Sequence, residues 1–339
     1  MAKDGRIDTL RGFACLLLVL YHVVGSDPSN GLRVDGGPVR WLNDGLAYVR
    51  MPLFTVLSGL VYGLRPFEGD SARFLGGKAR RLVVPMLVVG TLFALLQASV
   101  PNTNSAIQDW RLLHIEPLGH FWFVESLFWV FVLVWALERL RAIDSPRGFA
   151  ATCLLAAGVY LTVRGPRWFG IEGAIYLLPY FLAGLAVSRF SLWARLTDGR
   201  ARGLLLVAAA VAVFQIGMPE PNHDRRTVWI LLAGLSLCGL CLSVGFGLRA
   251  PPAWLQRVGR GSYAIYLFHV FFTAAARIAT TEAGLAWLPL QIATGLALGI
   301  AGPMLIERWA SRERWLRLLL LGQSTGRSQR AVLDASPQA

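Results

Sequence analysis

The sequence predicts an all-α, polytopic integral membrane protein of about ten transmembrane helices, with both termini in the cytoplasm. Three observations lead there. Of the 339 residues, 55% are hydrophobic and 16% charged, whereas a soluble domain carries about 25% charged residues. Mean hydropathy is +0.51. Apolar runs of crossing length recur along the chain without an alternating period, and lipid cannot satisfy open backbone groups, so helices are the spanning form. The basic residues, finally, fall unevenly on alternate loops, as oriented helices require. There are too few charges to coat two water-facing domains, and one integral membrane domain is expected.

A crossing helix needs about 20 predominantly apolar residues. Ten stretches qualify: 10–26, 45–64, 82–100, 119–138, 149–163, 173–188, 203–217, 227–248, 262–280 and 285–306, of which the fifth and seventh are short. With the N-terminus inside, 24 of the 33 Lys and Arg residues lie on the cytoplasmic side. The net charge of +13 therefore reads as topology. A nucleic-acid surface is a poor reading, because 31 of the 33 basic residues are Arg scattered between apolar runs rather than gathered in one stripe.

Residues 1–322 are expected to form the membrane domain and 323–339 a disordered cytoplasmic tail. Before the tail, Arg308 to Gly322 sets arginines beside Trp309, Trp315 and a leucine run, the pattern of an interfacial helix. Met1 to Gly25 has a basic start and a short apolar run, yet no A-x-A-like site follows, and it is expected to be retained. The pairs Gly59/Gly63 and Gly295/Gly299 read as close-packing G-x-x-x-G elements. Cys15, Cys153, Cys238 and Cys241 all lie in apolar stretches. The C-x-x-C at 238–241 has no second pair and no nearby His, so it reads as packing rather than as a redox or zinc site.

Ionisable residues inside a bilayer are expensive and are functional candidates by default. Arg11 and His22 are the sharpest case. Eleven steps of 100° return to within about 20° of the starting direction and advance about 16 Å, so the two share one helix face, with Cys15 and Leu18 between them. Arg11 is a permanent cation at the cytoplasmic boundary, and His22, half a bilayer deeper, can exchange a proton near neutral pH. The plainer alternatives are a topology charge and an interhelical hydrogen bond.

Around the fourth span, His120 sits at the outer boundary and Glu125 a turn and a half deeper, where it must face a cavity or a polar group. Trp122 and Phe123 read as interface anchors. His269, mid-membrane in the ninth span, reads first as structural and otherwise as lining the same cavity. His114 and His223 are placed in outer loops as solvated side chains. The five histidines show no ligand spacing, so no metal centre is expected. Residues 65–81 carry five basic residues, first of all a topology signal. Lys78, Arg80 and Arg81, with Arg11, are also the counter-charges available to a phosphorylated donor on that face. The sequence has no Walker motif, G-x-G-x-x-G or G-x-S-x-G, which argues against nucleotide hydrolysis and a soluble-type serine hydrolase.

The stretch Arg6-Ile7-Asp8-Thr9-Leu10-Arg11-Gly12-Phe13-Ala14, continued to Tyr21-His22, resembles the opening signature of the acyltransferase-3 family of integral membrane acyltransferases. Phe54-Thr55-Val56-Leu57-Ser58-Gly59 is similar to that family's F-x-x-S-G segment, His120-Phe121-Trp122-Phe123 to its W-F element, and Tyr263 to His269 to its S-Y-x-x-Y-L-x-H segment. The family's R-x-x-R before the third span is matched here by Lys78-Ala79-Arg80-Arg81, which keeps the charge and loses one guanidinium fork.

The resemblance implies transfer of an acyl group, acetyl or succinyl, from acyl-CoA to a hydroxyl of a cell-surface or exported carbohydrate, in the bacterial cytoplasmic (inner) membrane. It implies no cofactor, and as partners acyl-CoA, a carbohydrate or lipid-linked glycan, and membrane lipid. On that reading His22, Arg11 and Glu125 serve catalysis, and Lys78, Arg80, Arg81, Ser58, His120 and His269 bind substrate. A proton-coupled transporter or flippase is the competing class, with His22, Glu125 and His269 as relay residues.

Overall fold

Helix α1 (Gly5–Val24) is the axis of the protein, and around it the computed structural model describes residues 4–99, 109–216 and 226–324. The helices that follow are α2 (Gly37–Gly45), α3 (Ala47–Gly63), α4 (Ser71–Ser99), α5 (Trp122–Arg139), α6 (Pro146–Thr162), α7 (Ile171–Arg189) and α8 (Trp193–Thr197). Then come α9 (Gly199–Ile216), α10 (Val228–Gly247), α11 (Ala253–Arg260), α12 (Ser262–Glu282), α13 (Leu288–Ala310) and α14 (Arg314–Leu321). The protein is an all-α, multi-pass membrane protein.

Among the described residues, nine helical segments are long and apolar enough to cross a membrane, against the ten expected. The difference is the fifth expected span, which forms α6 with 17 residues. Short as it is, α6 is flanked by segments tied to both ends of α7. At one end Arg189 donates to the Ile143 carbonyl (2.9 Å) and pairs with Glu138. At the other, Arg226 donates to the carbonyls of Val163 (3.2 Å) and Glu172 (2.9 Å) and pairs with the Glu172 carboxylate at 3.3 Å. Buried helix ends need such partners for their unpaired backbone groups.

The two G-x-x-x-G pairs pack helices as expected. Gly59 lies against the Phe181 carbonyl and Gly63 against Ser188, which draws α3 onto α7, while Gly295 and Gly299 receive Val23 and Val19 of α1. Lipid-facing apolar side chains cover the periphery, as at Leu204, Phe214 and Leu305, 72%, 82% and 65% exposed. The cysteines are free thiols.

A cap closes the far end of α1 just beyond His22. Gly25 ends the helix with φ +106°, a conformation that favours glycine. Its carbonyl accepts from Arg40 Nη1 (2.9 Å) and Asn43 Nδ2 (3.2 Å) of α2. Arg40 in turn pairs with Asp44 at 3.2 Å, both under 10% exposed. A cation at a helix C-terminus is also favoured by the helix dipole.

Two sequence expectations change. The interfacial stretch 308–322 splits: Arg308 completes α13, and α14 begins at Arg314 and packs on α4, burying Leu320 and Leu321. The leucines find a protein surface there, while Trp315 stays 71% exposed on the same short helix. His114 is not a solvated loop side chain; its Nε2 lies 2.9 Å from Thr91 Oγ1 on α4, and the ring faces Gly90. His223 and the tail residues 325–339 lie outside the described residues.

A candidate active site between two chambers

The site is built from two helix ends and the interior of a third helix. α1 carries His22 three residues before its terminating glycine. A 3-10 turn over Gly119–Phe121, which leads into α5, carries His120. α12 carries His269 in its interior. Their rings converge, with centroid separations of 4.7 Å for His22–His269, 5.0 Å for His120–His269 and 5.8 Å for His22–His120. Tyr266, one turn before His269, donates its hydroxyl hydrogen to the His120 carbonyl and so locks the turn onto α12.

Two chambers meet at this cluster. One has a volume of about 730 Å³ and is lined by Tyr21, His22, Arg50, Trp122, Tyr176 and Tyr266 among others. The other, of about 210 Å³, includes Phe93, Thr273, Arg277 and Gln291 in its wall. His22 and His120 border both. Below His22, Cys15 is 0% and Leu18 2% exposed, in a helix that is buried along most of its length.

The basic residues assigned to the donor lie at the opposite end of α1. Arg11 is partly buried and 3.9 Å from Asp8. Arg81 acts electrostatically on both Arg11 and Lys78, its guanidinium lies 5.6 Å over the Tyr263 ring, and its carbonyl accepts from the Tyr263 hydroxyl. Arg80 is exposed. Lys78 is turned inward, with Nζ 3.6 Å over the Phe131 ring and 5.2 Å over Phe74, a cation–π arrangement that occupies part of its charge.

Three other candidate residues, Glu125, Ser58 and His269, are absent from both chamber walls. Glu125, 7% exposed, lies beside Gly170, and the chamber wall there is made by Trp122 and Ser126 instead. The Ser58 hydroxyl donates to the Phe54 carbonyl of its own helix (2.8 Å). His269 is 0% exposed and borders neither chamber. Among the described residues no group of His, Cys, Asp or Glu is arranged to hold a metal ion.

The family comparison matches the acyltransferase domain model over residues 4–308, nine-tenths of the chain. The chain belongs to the acyltransferase-3 family. It is therefore a member of a family of membrane acyltransferases, as its opening signature implies. It is also similar to nodulation protein NolL of Mesorhizobium japonicum, 22% identical over 217 residues, which cover 62% of this chain and 55% of that protein. The chain thus spans about half the length of that relative. No solved structure matches it.

Within this family member, sequence reading missed Arg50. The residue lies inside the second expected span, 45–64. It is 4% exposed, stacks 3.9 Å over the Tyr21 ring, donates to the Asn43 carbonyl at 2.7 Å and lines the large chamber beside His22. Its place within an apolar run was the available signal. Tyr21 and Tyr266 carried no such signal, since an apolar-run tyrosine is ordinary.

Proposed function

We propose that the protein transfers a short acyl group, acetyl or succinyl, from acyl-CoA to a hydroxyl of a cell-surface or exported carbohydrate, in a bacterial cytoplasmic membrane. The single observation that carries this reading is the position of His22 on the walls of both chambers. An imidazole that lines a chamber can touch a substrate held there, and both chambers lie at the end of α1 away from Arg11. The Arg11 end is read as cytoplasmic, which follows the charge asymmetry and puts the anionic donor beside Arg11, Arg80 and Arg81. The 730 Å³ chamber, with its aromatic and arginine lining, is read as the acceptor's space.

The chemistry asked of His22 is general-base catalysis. As the neutral imidazole it takes the proton of the acceptor hydroxyl while that oxygen attacks the thioester carbonyl, and the resulting imidazolium returns the proton to the departing CoA thiolate. Such assistance typically contributes about 10²- to 10⁴-fold. An acyl-histidine relay would use the same residue as nucleophile. Around His22 the immediate neighbours are His120 and His269, so orientation of the base is assigned to them rather than to Glu125. Lys78, held on Phe131, is assigned the lesser share of donor binding.

The test is a comparison of the host's glycans, by mass spectrometry, with the intact gene, without it and with His22→Ala. Loss of one ester in both of the latter is the expected result. An unchanged ester content in the deletion strain would reject the acyl-transfer reading.

A further inference from the structure

His269 is enclosed on every side and borders no chamber. Its Nδ1 lies 2.8 Å from the Ile265 carbonyl and 2.9 Å from the Tyr266 carbonyl. Carbonyl oxygens only accept, so Nδ1 bears the proton of the neutral ring and Nε2 is left as a bare lone pair. That Nε2 is buried without a hydrogen-bond partner. An orphaned buried acceptor is costly, and most buried polar groups of native structures have a partner, so this one calls for an explanation.

The donors within reach are few. His120 cannot supply a proton, because its Nε2 faces the Leu267 carbonyl at 3.4 Å and must be the protonated nitrogen there, so its other nitrogen is also an acceptor. Tyr266 has already given its hydroxyl hydrogen to the His120 carbonyl. His22 remains. Its ring is the nearest to His269, 4.7 Å between centroids and 64° between planes. The χ2 torsion of histidine is broad, so a modest turn of the His22 ring brings one of its N–H groups onto the waiting lone pair.

We infer that His269 is a positioning residue, whose Nε2 accepts the N–H of His22 and thereby holds the opposite nitrogen of His22 as a lone pair directed at the chambers. This deepens the proposed function and rests on His22 being the base. It differs from substrate binding, the role expected for His269 from sequence, because an enclosed side chain touches no substrate. In the reaction the acceptor O–H bond breaks and its proton joins the chamber-facing nitrogen of His22. The new C–O bond forms, the C–S bond breaks, and the same proton passes to the thiolate. His269 exchanges no proton. It stabilises the transient imidazolium because the hydrogen bond it accepts becomes charge-assisted. Without it, His22 is free to present its N–H to the chamber, and a protonated nitrogen cannot accept the hydroxyl proton.

The experiment compares kcat and KM of purified His269→Leu and His269→Gln, each checked for folding by thermal unfolding. Leu keeps the apolar bulk without an acceptor, and Gln places an amide oxygen near the position of Nε2. We expect kcat to fall about 10- to 100-fold in His269→Leu with both KM values held, and to recover most of that loss in His269→Gln. A folded His269→Leu protein with wild-type kcat, a rise in KM at constant kcat, or equal impairment of two folded variants would each overturn the inference. Nitrogen-15 NMR of histidine-labelled wild-type protein gives a second readout that needs no His269 variant to fold, with the His22→Ala spectrum assigning the pair. A non-protonated His269 Nε2 that accepts a hydrogen bond is expected, and a proton found on that nitrogen overturns the inference. If His22→Ala itself stays active, the base assignment falls. If His22→Ala is inactive and His269→Leu is fully active, only the positioning role falls.

Discussion

The imidazole of His22 on α1 lies 4.7 Å from that of His269 on α12, edge to face, and a third ring, His120, closes a triangle with them at 5.0 Å from His269 and 5.8 Å from His22. Residues from α1, from the turn that leads into α5 and from α12 thus share one small volume. Two of the three rings have one nitrogen committed to a backbone carbonyl, and His22 is the one of the three with neither nitrogen so committed.

For His22 the expected outcome of His22→Ala is a fall in kcat of about 10²- to 10⁴-fold. Thermal stability should change little, because the ring lines open chambers rather than filling a core. Steady-state acylation assays together with thermal melts check both statements. Normal turnover in the variant would remove His22 from the mechanism.

Donor binding should separate the basic residues. Arg11→Gln is expected to raise KM for acyl-CoA by about 10-fold or more, the worth of one charge-assisted hydrogen bond, while KM for the acceptor holds. Lys78→Met should do less to that KM, since the ammonium already rests on Phe131. A larger donor effect from Lys78→Met than from Arg11→Gln would reverse the assignment.

Capping of α1 has its own test. In Arg40→Met the Gly25 carbonyl loses one of its two donors and Asp44 is left buried without its cation. Breaking a buried pair by removing one partner costs roughly 3–5 kcal/mol, so the melting temperature should drop by several degrees. Replacing Arg40 and Asp44 together by apolar residues should recover part of that loss. A single variant as stable as wild type would show that the cap does not hold the helix end.

The pH dependence of stability should include a contribution from His114. Partial burial lowers its pKa from the ordinary 6.5, so the unfolded chain binds a proton more readily than the folded one. By linkage, stability rises with pH wherever the unfolded state holds more protons. The contribution is therefore present above about pH 6.5 and declines as the medium is acidified below it. His114→Gln, which keeps a donor for Thr91, should flatten the difference in melting temperature between pH 7.5 and pH 5.5. An identical pH dependence in the two proteins would refute this role.

Much of the fold was legible from local features. The crossing helices could be placed because hydropathy is a property of contiguous residues, and the G-x-x-x-G pairs marked the α3–α7 and α1–α13 contacts that the structure contains. The count was less secure at α6, where 17 residues lie at the edge of crossing length and tethers at both ends, made by Arg189 and Arg226, decide its course. At the site, helical geometry was enough to align Arg11, Cys15, Leu18 and His22. It was not enough to tell that Glu125 would turn toward Gly170 or that Lys78 would rest on an aromatic ring. Those outcomes depend on neighbouring helices.

By itself the sequence determined that this chain is a helical membrane protein, where its apolar runs lie, how its charges are apportioned and which family signature it carries. These are sums over adjacent residues and need no knowledge of the partner helices. Only the tertiary structure decided that His22, His120 and His269 meet, that two chambers open on the first of them, and that the last is enclosed. The physical reason is that ring–ring distances depend on how each helix is rotated and packed against the others, and that rotation is set by side chains distributed over the whole bundle.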